Sequence, residues 1–172
     1  MTALDDFRTA KDAFYQTSAD SPLLPEQKKA FSGLNYYSEE PALAFEVTPD
    51  LFDEPEMMDM QTSTGDAARY LRWARLSFST AGAPMQLTVF RDPGTESYFL
   101  PFQDSGRRKE TYGAGRYVDV EPLDDGRLRV DFNYAYNPYC AYNDGWSCPL
   151  PPAENRVNVP IRAGEKLFHS ED

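Results

Sequence analysis

The chain has 172 residues, 41% of them hydrophobic and 14% aromatic, enough apolar material for one globular domain with a proper core. Its formal charge of −11 is concentrated toward the N-terminus: residues 1–66 hold fourteen acids against four bases, and residues 67–172 hold fourteen against thirteen. Nine acids and no base lie between Glu39 and Asp66, a field that repels phosphate backbones and anionic membrane surfaces, so neither nucleic acid nor membrane is an expected partner.

Leu4, Phe7, Ala10, Ala13 and Phe14 recur at helical spacing, which predicts an amphipathic helix over residues 3–16. Pro25 suits the first turn of a short second helix through Glu26 to Phe31, ended by Gly33. The period then changes to two. Residues 42–47 read as a strand, and residues 48–66, with Pro49, Pro55 and the acidic run, as an exposed loop with one strand at most, over 58–62. Beyond that, Ala81-Gly82, Asp92-Pro93-Gly94, Ser105-Gly106 and Asp124-Asp125-Gly126 separate alternating runs, so strands are expected over 69–79, 85–91, 97–103, 116–121, 127–135 and 156–162. Leu128, Val130, Phe132, Tyr134 and Tyr136 would share one face, and Arg129, Asp131, Asn133 and Asn137 the other. The expected fold is mainly β: an antiparallel meander closing into a β-barrel or sandwich, with one or two N-terminal helices packed on it. Within a single domain 1–172, residues 1–33 form the helical segment, 42–166 the β domain, and 167–172 a frayed tail. No basic segment followed by an apolar run opens the chain, and no stretch approaches ~20 apolar residues, so a cytoplasmic location is expected. A leader removed from a longer precursor would overturn that and favour a disulfide.

The densest chemistry lies between residues 112 and 166. Tyr112-Gly113-Ala114-Gly115-Arg116-Tyr117 is followed by a second run from Asp131-Phe132-Asn133 through Tyr136-Asn137-Pro138 to Cys140-Ala141-Tyr142. Cys148-Pro149-Leu150-Pro151-Pro152 then leads to Glu154-Asn155-Arg156, and Ala163-Gly164-Glu165-Lys166 closes the series. The order and spacing of these motifs resemble a family of uncharacterised prokaryotic proteins, domain of unknown function 1684. Ser21-Pro22-Leu23 and Phe31-Ser32-Gly33-Leu34-Asn35-Tyr36-Tyr37 extend the resemblance over nearly the whole chain. It implies a common fold and carries no reaction or ligand. One departure is Gln103-Asp104-Ser105-Gly106, shortened relative to the family's usual Asp-x-Thr-Ser-Gly stretch, which puts a role for that loop in question.

His169 is the single histidine and lies near the end of the chain, which argues against Ser-His-Asp, Cys-His and His-metal sites. Cys140 and Cys148 with His169 fall short of a zinc set, and read as structural thiols or a loop disulfide ahead of a redox pair. Asp131, Asn133, Asn137 and Asp144 lack the spacing of a calcium loop. Gly113 to Arg116 is too short for a phosphate loop and reads as a tight turn. No metal and no cofactor are therefore expected. The leading functional expectation is a site for a small polar or anionic ligand built from Arg116, Asp131, Asn133, Tyr136, Asn137, Tyr142, Glu154, Asn155 and Arg156, with Tyr134 and Tyr139 among its walls. Two alternatives stand beside it. One is an enzyme with Asp131 and Glu154 as acid and base. The other is a structural or protein-interaction domain, in which Asp131 clasps an arginine such as Arg116, Arg129 or Arg156, or the acidic segment docks a basic partner.

Overall fold

The computed structural model describes residues 2–80 and 83–169. Helix α1 spans Ala3–Thr17. Thr2 and Asp5 start it by exchanging hydrogen bonds: the Asp5 amide donates to the Thr2 hydroxyl (3.1 Å) and the Thr2 amide to the Asp5 carboxylate (3.0 Å). Helix α2, Pro25–Ala30, follows with proline in its first turn. A single 3₁₀ turn at Pro41–Leu43 then leads into eight strands: β1 Ala44–Val47, β2 Asp50–Gln61, β3 Ala67–Ser79, β4 Pro84–Arg91, β5 Tyr98–Phe102, β6 Arg116–Val118, β7 Val120–Pro122 and β8 Leu128–Asp131.

The strands form two antiparallel sheets, one of five strands in the order β2-β3-β4-β5-β6 and one of three in the order β1-β8-β7. Neither closes into a barrel, which corrects one of the two expected architectures. The reason is visible where the chain leaves the larger sheet. The strand expected over 116–121 is two strands divided at Asp119: Arg116–Val118 pairs with β5, and Val120–Pro122 with β8. The chain thus passes from one sheet to the other within a single residue, and β2 and β1 remain edges.

Both sheets contribute to one core. Leu76 and Phe78 from β3, Leu87 and Val89 from β4, Leu100 and Phe102 from β5 and Leu128 and Val130 from β8 are buried together with Ile161 and Ala163. Phe132 is its hub, meeting Phe45, Phe78 and Phe102 edge-to-face at 6.0, 5.6 and 5.2 Å between ring centres. A second cluster of Tyr15, Leu23, Leu34 and Tyr142 seats α1 on the loops at one end.

Three other expectations are corrected. Residues 48–66 are mostly the twelve-residue strand β2, whose register against β3 shifts between Leu51 and Glu56. The irregularity brackets Pro55, which has no amide to donate and is accommodated on an edge strand. The run over 127–135 pairs only as far as Asp131. There the Asp131 carboxylate accepts the Asn133 amide (2.9 Å) and turns the chain into a 3₁₀ turn at Phe132–Tyr134, which ends the alternation. Residues 156–162 form no strand. Their backbone bonds go to the loop after β5, from Val157 N–H to the Gln103 carbonyl (2.8 Å) and from Ser105 N–H to the Val159 carbonyl (3.1 Å). The expected turn at Ala81-Gly82 lies outside the described residues, as does the tail from Ser170 onward. Leu167 to His169 are held in place: Leu167 accepts a bond from Asn35 (2.9 Å), and Phe168 packs edge-to-face on Tyr142 (5.0 Å). Among the described residues, no helix is long and apolar enough to cross a membrane.

Candidate functional site: a buried clasp beside an open groove

Arg116 leaves β6 pointing inward and is 1% exposed. Its guanidinium donates to three backbone carbonyls of one returning segment: Ile161 (2.8 Å), Ala163 (2.6 Å) and Glu165 (3.0 Å). The Asp104 carboxylate lies 3.8 Å away and is itself fixed by the Thr111 hydroxyl (3.0 Å) and the Ile161 amide (2.8 Å). Burial pulls the Arg116 pKa below its ordinary value, and the Asp104 charge opposes that pull. Asp104 therefore takes the place expected of Asp131 as the carboxylate facing Arg116. The acid is in the very loop whose shortened sequence had left its role in question.

Glu165, on the same segment, is equally buried. Its carboxylate accepts from the Tyr142 hydroxyl, from Lys11 of α1 and from the Asn137 amide (3.4 Å). Burial first, then the Glu165 charge, pushes the Tyr142 hydroxyl well above its ordinary pKa, so it stays a donor. Gly164 makes this return possible. Its φ is +79°, and a Cβ there would stand 2.7 Å from the Ala135 carbonyl oxygen.

Two asparagines work as backbone surrogates. Asn155, with no exposed surface, accepts the Thr88 amide (2.8 Å) and donates to the Thr88 and Pro101 carbonyls (both 2.8 Å), tying β4 to β5 where their pairing is short. Asn133 binds both backbone groups of Glu40 (2.8 and 2.9 Å) and pins the entry to β1. Asn137 donates to the Lys166 carbonyl (3.1 Å). Glu154 is held by both nitrogens of an Arg72 fork (2.8 to 3.1 Å) and by the Thr88 hydroxyl (2.8 Å). Burial alone would raise its pKa, but those partners outweigh it and hold the carboxyl below its ordinary value. Arg156 is exposed and borders a shallow pocket of about 250 Å³ with Asp59 and Pro151.

The nine residues expected in one site are thus divided. Arg116, Asn137 and Tyr142 meet around the 161–166 segment, Glu154 and Asn155 stand on β4, and Arg156 lies apart. Asp131 and Glu154 do not come together: one closes β8 of the small sheet, the other packs on the large sheet against Arg72. Asp131, Tyr134 and Tyr136 instead line an open groove of about 560 Å³ with Phe7, Asp119, Glu121 and Arg129. Phe7 and Tyr134 meet edge-to-face at 4.9 Å, and the Tyr136 hydroxyl donates to Asp119 (3.1 Å). Asp131 uses one oxygen, Oδ1, for both the Asn133 amide and its side chain. Arg129 is engaged by Glu46 (3.0 Å) and Glu121 (3.4 Å). Sequence reasoning missed Asp104, Glu165 and Lys11. Glu165 stood in a noted motif, while nothing in their spacing linked Lys11 or Asp104 to their partners.

Cys140 and Cys148 are both free thiols, and both are buried. The Cys140 amide donates to the Cys148 sulfur (3.4 Å).

A profile of the family described as "Protein of unknown function (DUF1684)" matches residues 29–166. The chain is also similar to an uncharacterized protein of Haloarcula marismortui solved in solution by NMR, at 40% identity. That match covers 96% of this chain and 94% of the other, with a TM-score of 0.73. Comparison with curated proteins found no match.

Proposed function

This chain belongs to the DUF1684 family, and from the geometry of its own residues we propose that it binds a small polar molecule carrying positive charge in the groove between α1 and the three-stranded sheet. The observation that carries the reading is the charge balance of that groove. Three carboxylates, Asp119, Glu121 and Asp131, face one guanidinium that Glu46 and Glu121 already neutralise, and Phe7, Tyr134 and Tyr136 supply aromatic walls. Oδ2 of Asp131 has no hydrogen-bond partner among the described residues. Aromatic faces beside carboxylates attract ammonium and guanidinium groups through both the ring quadrupole and the net field.

An anionic ligand, the other half of the original expectation, finds less support. Arg116 has both terminal nitrogens committed to three carbonyls and its remaining Nε is buried, and Arg156 stands apart from the groove. The acid–base enzyme reading also loses its pairing, since Glu154 is engaged by Arg72 and Thr88 on the other sheet. The remaining signature residues support a structural role beside the groove.

The test is a titration of isotope-labelled protein with primary amines, quaternary ammonium ions and guanidinium compounds, against carboxylates and phosphates at equal ionic strength. Cations should shift the resonances of Phe7, Tyr134 and Tyr136 saturably, and Asp131→Asn should weaken that response at least fivefold. Shifts produced by anions alone, or none at these three rings, would remove the reading.

A further inference from the structure

The thiol pair at Cys140 and Cys148 takes no part in the groove or the clasp, and its surroundings are unlike those of two cysteines that merely fill space. Cys140 lies in a 3₁₀ turn (Tyr139–Ala141) set between Pro138 and the Tyr142 layer, and its sulfur accepts a hydrogen bond from the Tyr112 hydroxyl (3.6 Å). Cys148 is anchored from the opposite side. Its amide donates to the Ser63 hydroxyl (3.1 Å), and its carbonyl accepts the Ser63 amide (2.9 Å). The loop between them is stitched to the β2–β3 turn a second time, by Thr64 to Ser147 (2.7 Å). Both ends of the pair are thus fixed by separate elements, and the Cys140 amide to Cys148 sulfur contact of 3.4 Å closes the gap between them.

The two thiols differ in environment. Cys140 borders an open groove of about 580 Å³ that also includes Leu24, Asn143 and His169, whereas Cys148 does not reach it. The hydrogen bond from Cys148, opposed by burial and helped by Tyr112 and Ser63, lowers the Cys140 pKa, and the same contact together with burial raises that of Cys148. Cys140 is therefore the readier thiolate and is a residue of the groove lining, while Cys148 stays protonated and is not part of that lining.

We propose that Cys140 and Cys148 form a peroxide-reactive pair, with Cys140 the attacking thiolate and Cys148 the resolving thiol. The Cys140 thiolate attacks one oxygen of a hydroperoxide and the O–O bond breaks. Cys140 becomes a sulfenic acid, and the departing alkoxide or hydroxide takes up a proton. Cys148 then attacks the Cys140 sulfur, an S–S bond forms, and the expelled hydroxide leaves as water with the Cys148 proton. Overall two thiols and one hydroperoxide give one disulfide, one alcohol or water, and one further water. A low-molecular-weight dithiol reverses the oxidation.

The experiment treats the folded full chain with hydrogen peroxide at pH 7, then counts alkylatable thiols and measures intact mass. Both thiols should disappear together for about one peroxide consumed per chain. The mass should fall by two hydrogens, and dithiothreitol should restore both. Cys148→Ser should stop at a sulfenic acid trapped by dimedone, and Cys140→Ser should react at least tenfold more slowly, with circular dichroism confirming that each variant is folded. Two thiols still free in the wild-type protein after peroxide, disulfides formed only between chains, or dimedone trapping in Cys140→Ser in place of Cys148→Ser would each overturn the proposal. The wild-type count does not depend on either variant folding.

Discussion

Replacing Arg116 by Met keeps most of the side-chain volume but removes every donor. Three buried carbonyls, of Ile161, Ala163 and Glu165, lose their partner, and Asp104 loses the charge facing it at 3.8 Å. Removing one member of a buried charged pair costs about 3–5 kcal/mol, because the other is stranded. Asp104 keeps bonds from Thr111 and Ile161, which tempers the loss, so about 4 kcal/mol is expected. For a chain of this length, that corresponds to a melting temperature lower by roughly 8–16 °C. Urea unfolding followed by the fluorescence of Trp73 and Trp146 measures it directly, with an unchanged dependence on denaturant showing that the same surface is exposed. Asp131→Asn is the control. Asp131 has no arginine partner among the described residues and sits half-buried at the end of β8, where an asparagine oxygen can still accept the Asn133 amide, so its loss should stay below about 1 kcal/mol. Equal losses in the two variants, or a cost below about 1 kcal/mol for Arg116→Met, would refute the assignment of Arg116 to the 161–165 segment.

Asn155→Ala leaves the Thr88 amide and the Thr88 and Pro101 carbonyls unpaired, and should cost about 3–5 kcal/mol, with hydrogen exchange at Thr88 accelerating first. Gly164→Ala forces a Cβ against the Ala135 carbonyl at a φ of +79°, and melting should show a loss of at least ~2 kcal/mol. Glu154 binds fewer protons in the folded chain than in the unfolded one, because its folded pKa is depressed. Its stabilisation is therefore complete above the unfolded pKa and is lost as pH falls through the folded value. Glu154→Gln should flatten the acid limb of a stability profile below about pH 4.5, by less than ~1 kcal/mol since both partners are part-exposed, as urea midpoints across that range would register.

What the sequence makes legible is what local physics encodes. The helical spacing of Leu4, Phe7 and Phe14 and the alternation through Leu76, Phe78, Leu87 and Val89 place α1, β3 and β4 to within two residues. Strand β2 is obscured because its acids face solvent at an edge and mask the alternation that Phe52, Met58 and Met60 retain. Val157, Val159 and Ile161 do pack against the core, yet their backbone serves loops, and burial periodicity alone cannot separate those cases. For the site, the signature correctly marks where polar groups converge, but not which acid meets which base. Asp104 reads as turn punctuation before Ser105-Gly106, and its pairing with Arg116 depends on β5 and β6 lying side by side. Partner choice across a sheet is a tertiary fact, invisible in spacing.

The contact between Lys11 and Glu165 joins residues 154 apart in the chain. During synthesis, the first helix emerges from the ribosome long before the carboxylate that receives it. At about 5–20 residues per second, the wait is roughly 8–30 s. Arg116 is likewise made before any of the three carbonyls it binds. The first helix can settle against Leu23, Leu34 and Tyr142 before that carboxylate exists, whereas the charged contact that ties Lys11 to Glu165 forms only once the 161–165 segment has been translated.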